Sequence, residues 1–198
     1  MSSIVKKLKV IKSGFLVRTE TGVILDARST VVLIQTAKNT ILVDTSLRKD
    51  RDLLIQGLRN ESLTPADINI IIITHCHKDH TGNNEIFPSA RIYAHKLCSL
   101  KGNVIRIKVF PYFLEPSIEI IETPGHSWDS LTVLVKRDVT YAITGDAIPL
   151  KSNYENWIPP VVHVDAQRAL ESMKEITQRA DMIIPGHDEA FALKEREL

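Results

Sequence analysis

The segment Thr74-His75-Cys76-His77-Lys78-Asp79-His80-Thr81-Gly82-Asn83 places three histidines and an aspartate within six residues, directly after the apolar run Ile70-Ile71-Ile72-Ile73. An unbroken β-branched run of this kind reads as a buried strand. Metal ligands crowded onto the loop that leaves such a strand give a rigid site open on one side. Imidazole suits zinc, iron and similar ions, and a carboxylate among imidazoles adds a harder, negatively charged ligand.

Outward from this loop the chain is rich in strands. Residues 8–18 and 23–25 read as early strands, and 31–35 with 40–44 as a hairpin turning through Ala37-Lys38-Asn39. Residues 49–58 carry Leu53, Leu54 and Leu58 at helical spacing, and Thr64-Pro65 is a helix-start signal. A short helix is expected over 81–87, a strand over 91–94, a helical turn over 95–100 and a half-wet strand over 104–109. Further strands are expected over 118–122, 131–135, 140–143 and 182–184. Residues 151–164 read as an irregular loop, and Asp165 caps a helix running to Ala180 with Ala169, Met173 and Ile176 on its apolar side. Two strand-rich halves with helices would bury these strands as two sheets packed face to face, helices covering both outer surfaces.

Four of the expected strands end in candidate ligands: His75, His77, Asp79 and His80; then His126; then Asp146; then His187. The last three each adjoin a glycine (Gly125, Gly145, Gly186), which permits tight turns and close approach. Seven donors exceed what one tetrahedral ion needs and suit two ions sharing a bridge. The bland alternative is a hydrogen-bonded polar core.

The chain has 198 residues and a formal net charge of +1, so one domain spanning 1–198 is the default and no global charge draws it to nucleic acid or anionic membrane. No run reaches membrane-spanning length, and the first residues lack the apolar centre of a signal peptide. The two cysteines, Cys76 and Cys98, suggest no disulfide framework: Cys76 reads as a packing residue and Cys98 as buried and inert. A cytoplasmic location fits these features.

The order His75-x-His77-x-Asp79-His80, His126, Asp146, His187 resembles the metallo-β-lactamase superfamily. The resemblance implies a four-layer αββα sandwich with a dinuclear site at one edge of the packed sheets. It implies that His75, His77 and His126 hold one metal, that Asp79, His80 and His187 hold the other, and that Asp146 bridges. Zinc is the expected metal, with iron or manganese as alternatives. Asp44 matches the family's aspartate beside the site, where it would orient a ligating histidine. Two such ions hold water as hydroxide for attack on a carbonyl or phosphorus, with Asp79 orienting the nucleophile.

The stretches from Thr123 to Val135 and from Ala180 to His187, and Gly145-Asp146 followed by Glu155-Asn156-Trp157, are similar to the short branch typified by metallo-β-lactamase domain-containing protein 1. Only residues 188–198 follow His187, so the helical thiol-binding extension of glyoxalase II enzymes is not expected. The function implied is hydrolysis of an ester, thioester, lactone or amide in a small molecule. RNA or DNA phosphodiester cleavage is the alternative on the same site, and metal binding or regulation without turnover the alternative of another class. Trp128, Trp157 and His163 are candidate substrate contacts, though each also reads as ordinary packing or loop structure. His95 reads as a surface or helix-start histidine. Exposed strand edges and the Trp157 loop would allow a homodimer.

Overall fold

The computed structural model describes residues 4–193. The chain runs β1 (Lys7–Lys12), β2 (Phe15–Arg18), β3 (Ile24–Arg28), β4 (Val31–Gln35), β5 (Thr40–Val43), α1 (Arg51–Asn60), β6 (Ile70–Ile72), α2 (Lys78–Thr81), β7 (Arg91–His95), β8 (Val104–Ile107), β9 (Tyr112–Glu115), β10 (Ile118–Glu122), β11 (Leu131–Lys136), β12 (Thr140–Gly145), α3 (Lys151–Asn156), α4 (Ala166–Arg179), β13 (Met182–Pro185) and β14 (Phe191–Ala192). One sheet has the order β1-β4-β5-β6-β7-β8 and the second β14-β13-β12-β11-β10-β9, while β2 and β3 form a separate hairpin.

The layering follows from side-chain alternation along the strands. Val32 and Ile34 point inward to meet Ile120 and Val133 of the other sheet. Their neighbours Val31 and Leu33 point outward and pack with Leu54 and Leu58 of α1. In the second sheet Leu134 and Ala142 likewise turn outward to Met173 and Ile176 of α4. Both faces of each sheet are therefore covered, which is why these strands read as continuous apolar runs rather than alternating ones. The result is the expected αββα sandwich. Among the described residues no helix is long and apolar enough to cross a membrane.

Strand direction puts the candidate ligands at one edge. Strands β5, β6, β7 and β8 are mutually parallel. In the second sheet β10, β12 and β13 share a direction, because β11 is antiparallel to both of its neighbours and β12 is parallel to β13. The segments leaving β5, β6, β10, β12 and β13 thus emerge on a common rim. There the Leu131 amide donates to the Thr74 carbonyl at 2.8 Å and ties the sheets together.

Several local expectations differ from what forms. Residues 151–156 are helical, not irregular: Asp188 Oδ2 accepts from the Lys151 amide, and Trp157 closes the helix in the left-handed region at φ 52°. That anchor is 37 residues away, so no local pattern announces the helix. The helical turn beyond His77 starts at Lys78, earlier than the expected 81–87, and only a short 3-10 turn at Asn84–Ile86 follows. No helix forms over 95–100, and strands β9 and β14 are additions to the expected set. Leu53 is exposed, while Leu54 and Leu58 are buried. Asp165 does cap α4, accepting from the Arg168 amide at 3.0 Å.

The cysteine reading is corrected outright. Cys76 and Cys98 form a disulfide with Cα atoms 5.7 Å apart. Because β6 and β7 are parallel neighbours, the loops leaving them lie side by side, although the cysteines are 22 residues apart. A disulfide also removes one support for a cytoplasmic location. His95 is not a surface histidine: it is buried, with Nε2 2.7 Å from Glu122 Oε1 of the opposite sheet.

Candidate metal centre

His75, His77 and His126 converge on one point. His75 Nε2 lies 3.0 Å from His77 Nδ1 and 3.2 Å from His126 Nε2, and His126 Nε2 lies 3.0 Å from His77 Nδ1. Hydrogen bonding alone does not account for this triangle. His126 Nδ1 donates to the Val162 carbonyl at 2.7 Å, which in a neutral ring leaves Nε2 as a bare lone pair facing two other ring nitrogens. Tetrahedral bonds of about 2.0–2.1 Å to one ion would set nitrogens roughly 3.3 Å apart.

A second group forms beside the first. His187 Nδ1 donates to the Arg28 carbonyl at 2.9 Å, and its Nε2 lies 3.5 Å from Asp79 Oδ2. His80 Nδ1 is 2.7 Å from Asp44 Oδ2, and its Nε2 faces Asp79 Oδ2 at 3.7 Å. Asp146 stands between the groups. Its Oδ1 is 3.1 Å from His187 Nε2 and 3.3 Å from His80 Nε2, while its Oδ2 is 3.5 Å from His126 Nε2 and 3.9 Å from His75 Nε2. Oδ2 also lies 3.3 Å from His187 Nε2, so the carboxylate as a whole stands within reach of both groups. The donor atoms of His75–His77–His126, of His75–His80–Asp146 and of Asp79–His80–His187 each lie within 4.8 Å of one another.

Among the described residues three buried side-chain atoms have no hydrogen-bond partner, and two of them, His80 Nε2 and Asp146 Oδ1, belong to this centre, the third being Ser29 Oγ. Unpaired buried polar atoms are costly in a native protein unless something else engages them. A mixed imidazole and carboxylate donor set that leaves such atoms aimed at one another fits divalent metal.

The surrounding structure orients the donors. Asp44 accepts from the Thr74 amide, from Thr74 Oγ1 and from His80 Nδ1, at 2.8, 2.8 and 2.7 Å. It does so from the left-handed region, at φ 61°, a conformation a non-glycine residue keeps only when its surroundings demand it. Asp129, which carries no motif signal in the sequence, accepts from the Cys76 amide at 3.0 Å and so pins the residue between His75 and His77. Gly186 has no room for a side chain: a Cβ there would stand 2.2 Å from Asp146 Oδ1.

Electrostatics divide the histidines. Burial, together with the charge on His80, holds His75 well below the usual imidazole value of 6.5, and burial lowers His126. Burial also opposes charge on His80, but Asp44 and Asp146 outweigh it and raise its pKa well above 6.5. His187 is raised in the same way, burial being outweighed mainly by Asp146. Burial would raise Asp146, yet His187 and His80 hold it well below the ordinary carboxylate range. In the metal-free protein, then, the neighbouring carboxylates favour the protonated forms of His80 and His187, and metal must compete with those protons. Metal affinity is expected to fall as pH drops. Calorimetry in buffers of different ionisation enthalpy should register proton release on metal binding. Buffer-independent heats would contradict this.

The centre opens into a cleft of about 120 Å³, with His77, Asp79, His126, Asp146 and His187 at its floor. Leu16, Ile24 and Ala27 of the β2–β3 hairpin form one wall, and Pro160, Val161 and Val162 another. Trp128, Trp157 and His163 are exposed and none of them lines this cleft. His163 Nδ1 instead donates to the Pro160 carbonyl at 2.7 Å. Sequence reasoning missed the hairpin wall, whose only signal was a run of apolar residues among turn-formers.

A sandwich with candidate metal ligands gathered on its rim can be set beside known proteins. The profile of the metallo-beta-lactamase superfamily matches residues 26–106. A Methanocaldococcus jannaschii protein named "Probable metallo-hydrolase" is 42% identical over 190 residues, covering 96% of this chain and 90% of its own length. Metallo-beta-lactamase domain-containing protein 1 of Xenopus laevis is 34% identical over 178 residues, 86% of this chain and 75% of that protein. Among solved structures, a quorum-quenching N-acyl homoserine lactone lactonase matches with a TM-score of 0.76 and 25% identity, over 95% of this chain and 94% of the other. The chain belongs to the metallo-β-lactamase superfamily and is a metal-dependent hydrolase.

Proposed function

We propose that this hydrolase uses a dinuclear centre, zinc in both positions, to cleave a small-molecule ester, thioester, lactone or amide. His75, His77 and His126 would hold one ion, and Asp79, His80 and His187 the other, with Asp146 shared. The observation that carries the reading is the placement of Asp146 between the two histidine groups, its carboxylate within 3.1–3.9 Å of ring nitrogens of both. A bound divalent ion supplies Lewis acidity, polarising a carbonyl and bringing the pKa of water down toward about 7.

The chain's own residues supply the rest. Asp79 lies at the cleft floor with Oδ2 turned toward His80 and His187. Its carboxylate is placed to accept a hydrogen bond from water and so orient the attack. The Val162 and Arg28 carbonyls and Asp44 fix the rings of His126, His187 and His80, so no rotamer has to be frozen during turnover. The apolar walls exclude water from the reacting carbonyl and accept the hydrocarbon part of a substrate.

Apolar walls support a small-molecule substrate over a nucleic acid, which needs cations spaced along a groove to meet successive phosphates. The lactonase among the solved neighbours supports the same choice. Metal analysis after metal-replete purification is expected to find about two ions per chain, and a content well below one would sink the reading. A panel of 4-nitrophenyl esters, lactones and bis-4-nitrophenyl phosphate should show turnover of the carbonyl substrates. Turnover confined to the phosphodiester would favour the nuclease alternative.

A further inference from the structure

The hairpin over the cleft carries an arginine that makes no ion pair among the described residues. Leu16 and Arg18 lie two residues apart on β2 and so share a face. Opposite them, Leu16 pairs with Ala27, and a register shift after Val17 brings Arg18 opposite Ile24. Without that bulge Ile24 would fall on the other face from Ala27. With it, Leu16, Arg18, Ile24 and Ala27 all line the cleft.

The hairpin's two arginines have different situations. Arg28 is engaged by Asp26 and Asp50, at 2.9 and 2.6 Å. Among the described residues Arg18 makes no ion pair or side-chain hydrogen bond, and it is exposed. Apart from the candidate metal ligands it is the one charged residue that lines the cleft. The cleft's amide, Asn153, is occupied in donating to the Ile158 and Pro159 carbonyls. A guanidinium beside the cleft's apolar walls offers planar, paired donors that match an oxyanion.

We propose that Arg18 is a specificity-determining residue that binds an oxyanion, carboxylate or phosphate, at the end of the substrate remote from the scissile carbonyl. The preferred substrates are then small esters, thioesters or lactones with an apolar body and an anionic end. This rests on the hydrolase reading above and adds the substrate's charge to it.

The test is equilibrium binding to the metal-loaded protein, with product-like acids as probes. Straight-chain monocarboxylates of four to ten carbons are compared with dicarboxylates of the same lengths, and with the corresponding ω-phosphonocarboxylates. Every probe offers one carboxylate to the metal centre, and only the doubly anionic ones offer a second group to Arg18. At the best-fitting length the second anion is expected to tighten binding by about tenfold or more. Comparing the dicarboxylate with the phosphonate identifies which oxyanion is preferred. Arg18→Gln should bring the ratio close to one, and Arg18→Lys should retain part of it. If no length shows a preference, or if Arg18→Gln keeps it, the proposal is overturned. The matching 4-nitrophenyl esters, neutral and carboxylate-bearing, should show the same ratio in kcat/KM. A wild type that turns over no ester refutes the hydrolase reading, while the binding series still decides the role of Arg18.

Discussion

Asp146→Ala is expected to lower the metal content from about two ions per chain to one or none, and to reduce hydrolysis by about 10³-fold or more. The proposed shared ligand is lost, and with it several kcal/mol of charge stabilisation, each 1.36 kcal/mol being a factor of ten. The geometry makes this removal reach both groups at once. Asp146 is the residue that faces both groups, lying 3.1 Å from His187, 3.3 Å from His80 and 3.5 Å from His126. His126→Ala or Asp79→Ala would each take a ligand from one group only, and each is also expected to abolish measurable turnover.

A plain folding defect makes a different prediction. In the metal-free protein Asp146 is a buried carboxylate that offsets the charge on His80 and His187, so its removal should also lower the melting temperature of the apoprotein. What separates the two cases is the rise in melting temperature produced by added zinc, which should shrink in the variant and would persist after a plain folding defect. An Asp146→Ala protein that bound two ions and turned over like the wild type would refute the bridging assignment.

Asp44→Ala should damage stability as well as metal binding. Three buried donors, the Thr74 amide, Thr74 Oγ1 and His80 Nδ1, end on this one carboxylate. Stranding buried donors costs about 1–3 kcal/mol each where water cannot replace the acceptor, so a loss of at least about 3 kcal/mol is expected by denaturant unfolding. Alanine at φ 61° adds strain that the aspartate's hydrogen bonds now offset. Separately, His80 loses the partner that orients its ring, and zinc affinity should drop about 10–100-fold. Asp44→Asn, which keeps the shape and one acceptor, should recover much of the stability and less of the affinity. Equal recovery of both would show that Asp44 serves the fold and not the centre.

The layers of the fold were legible because continuous apolar runs such as Val31–Ile34 and Ile70–Ile73 are too short for buried helices and too apolar for a sheet wet on one face, which leaves strands covered on both. The candidate ligands were legible because histidine and aspartate at strand ends, beside glycine, are chemically conspicuous. The six-residue helix at Lys151–Asn156 was not, since it hangs on Asp188 from a distant loop. Nor was the disulfide, which needs the parallel pairing of β6 and β7 to bring Cys98 beside Cys76. The cleft walls were equally hidden, because Leu16, Ile24 and Val161 carry no chemical signature.

What the amino-acid order determined alone, then, is the set of donor atoms and the periodicity that makes two covered sheets. Both are local properties of residue type and spacing. Tertiary structure decided which donors face one another. Through strand direction it set Asp146 between the two histidine groups, and through a one-residue bulge it turned Ile24 and Arg18 onto the same face of a hairpin above them. Those relations join residues far apart in the chain, and only packing brings them within reach.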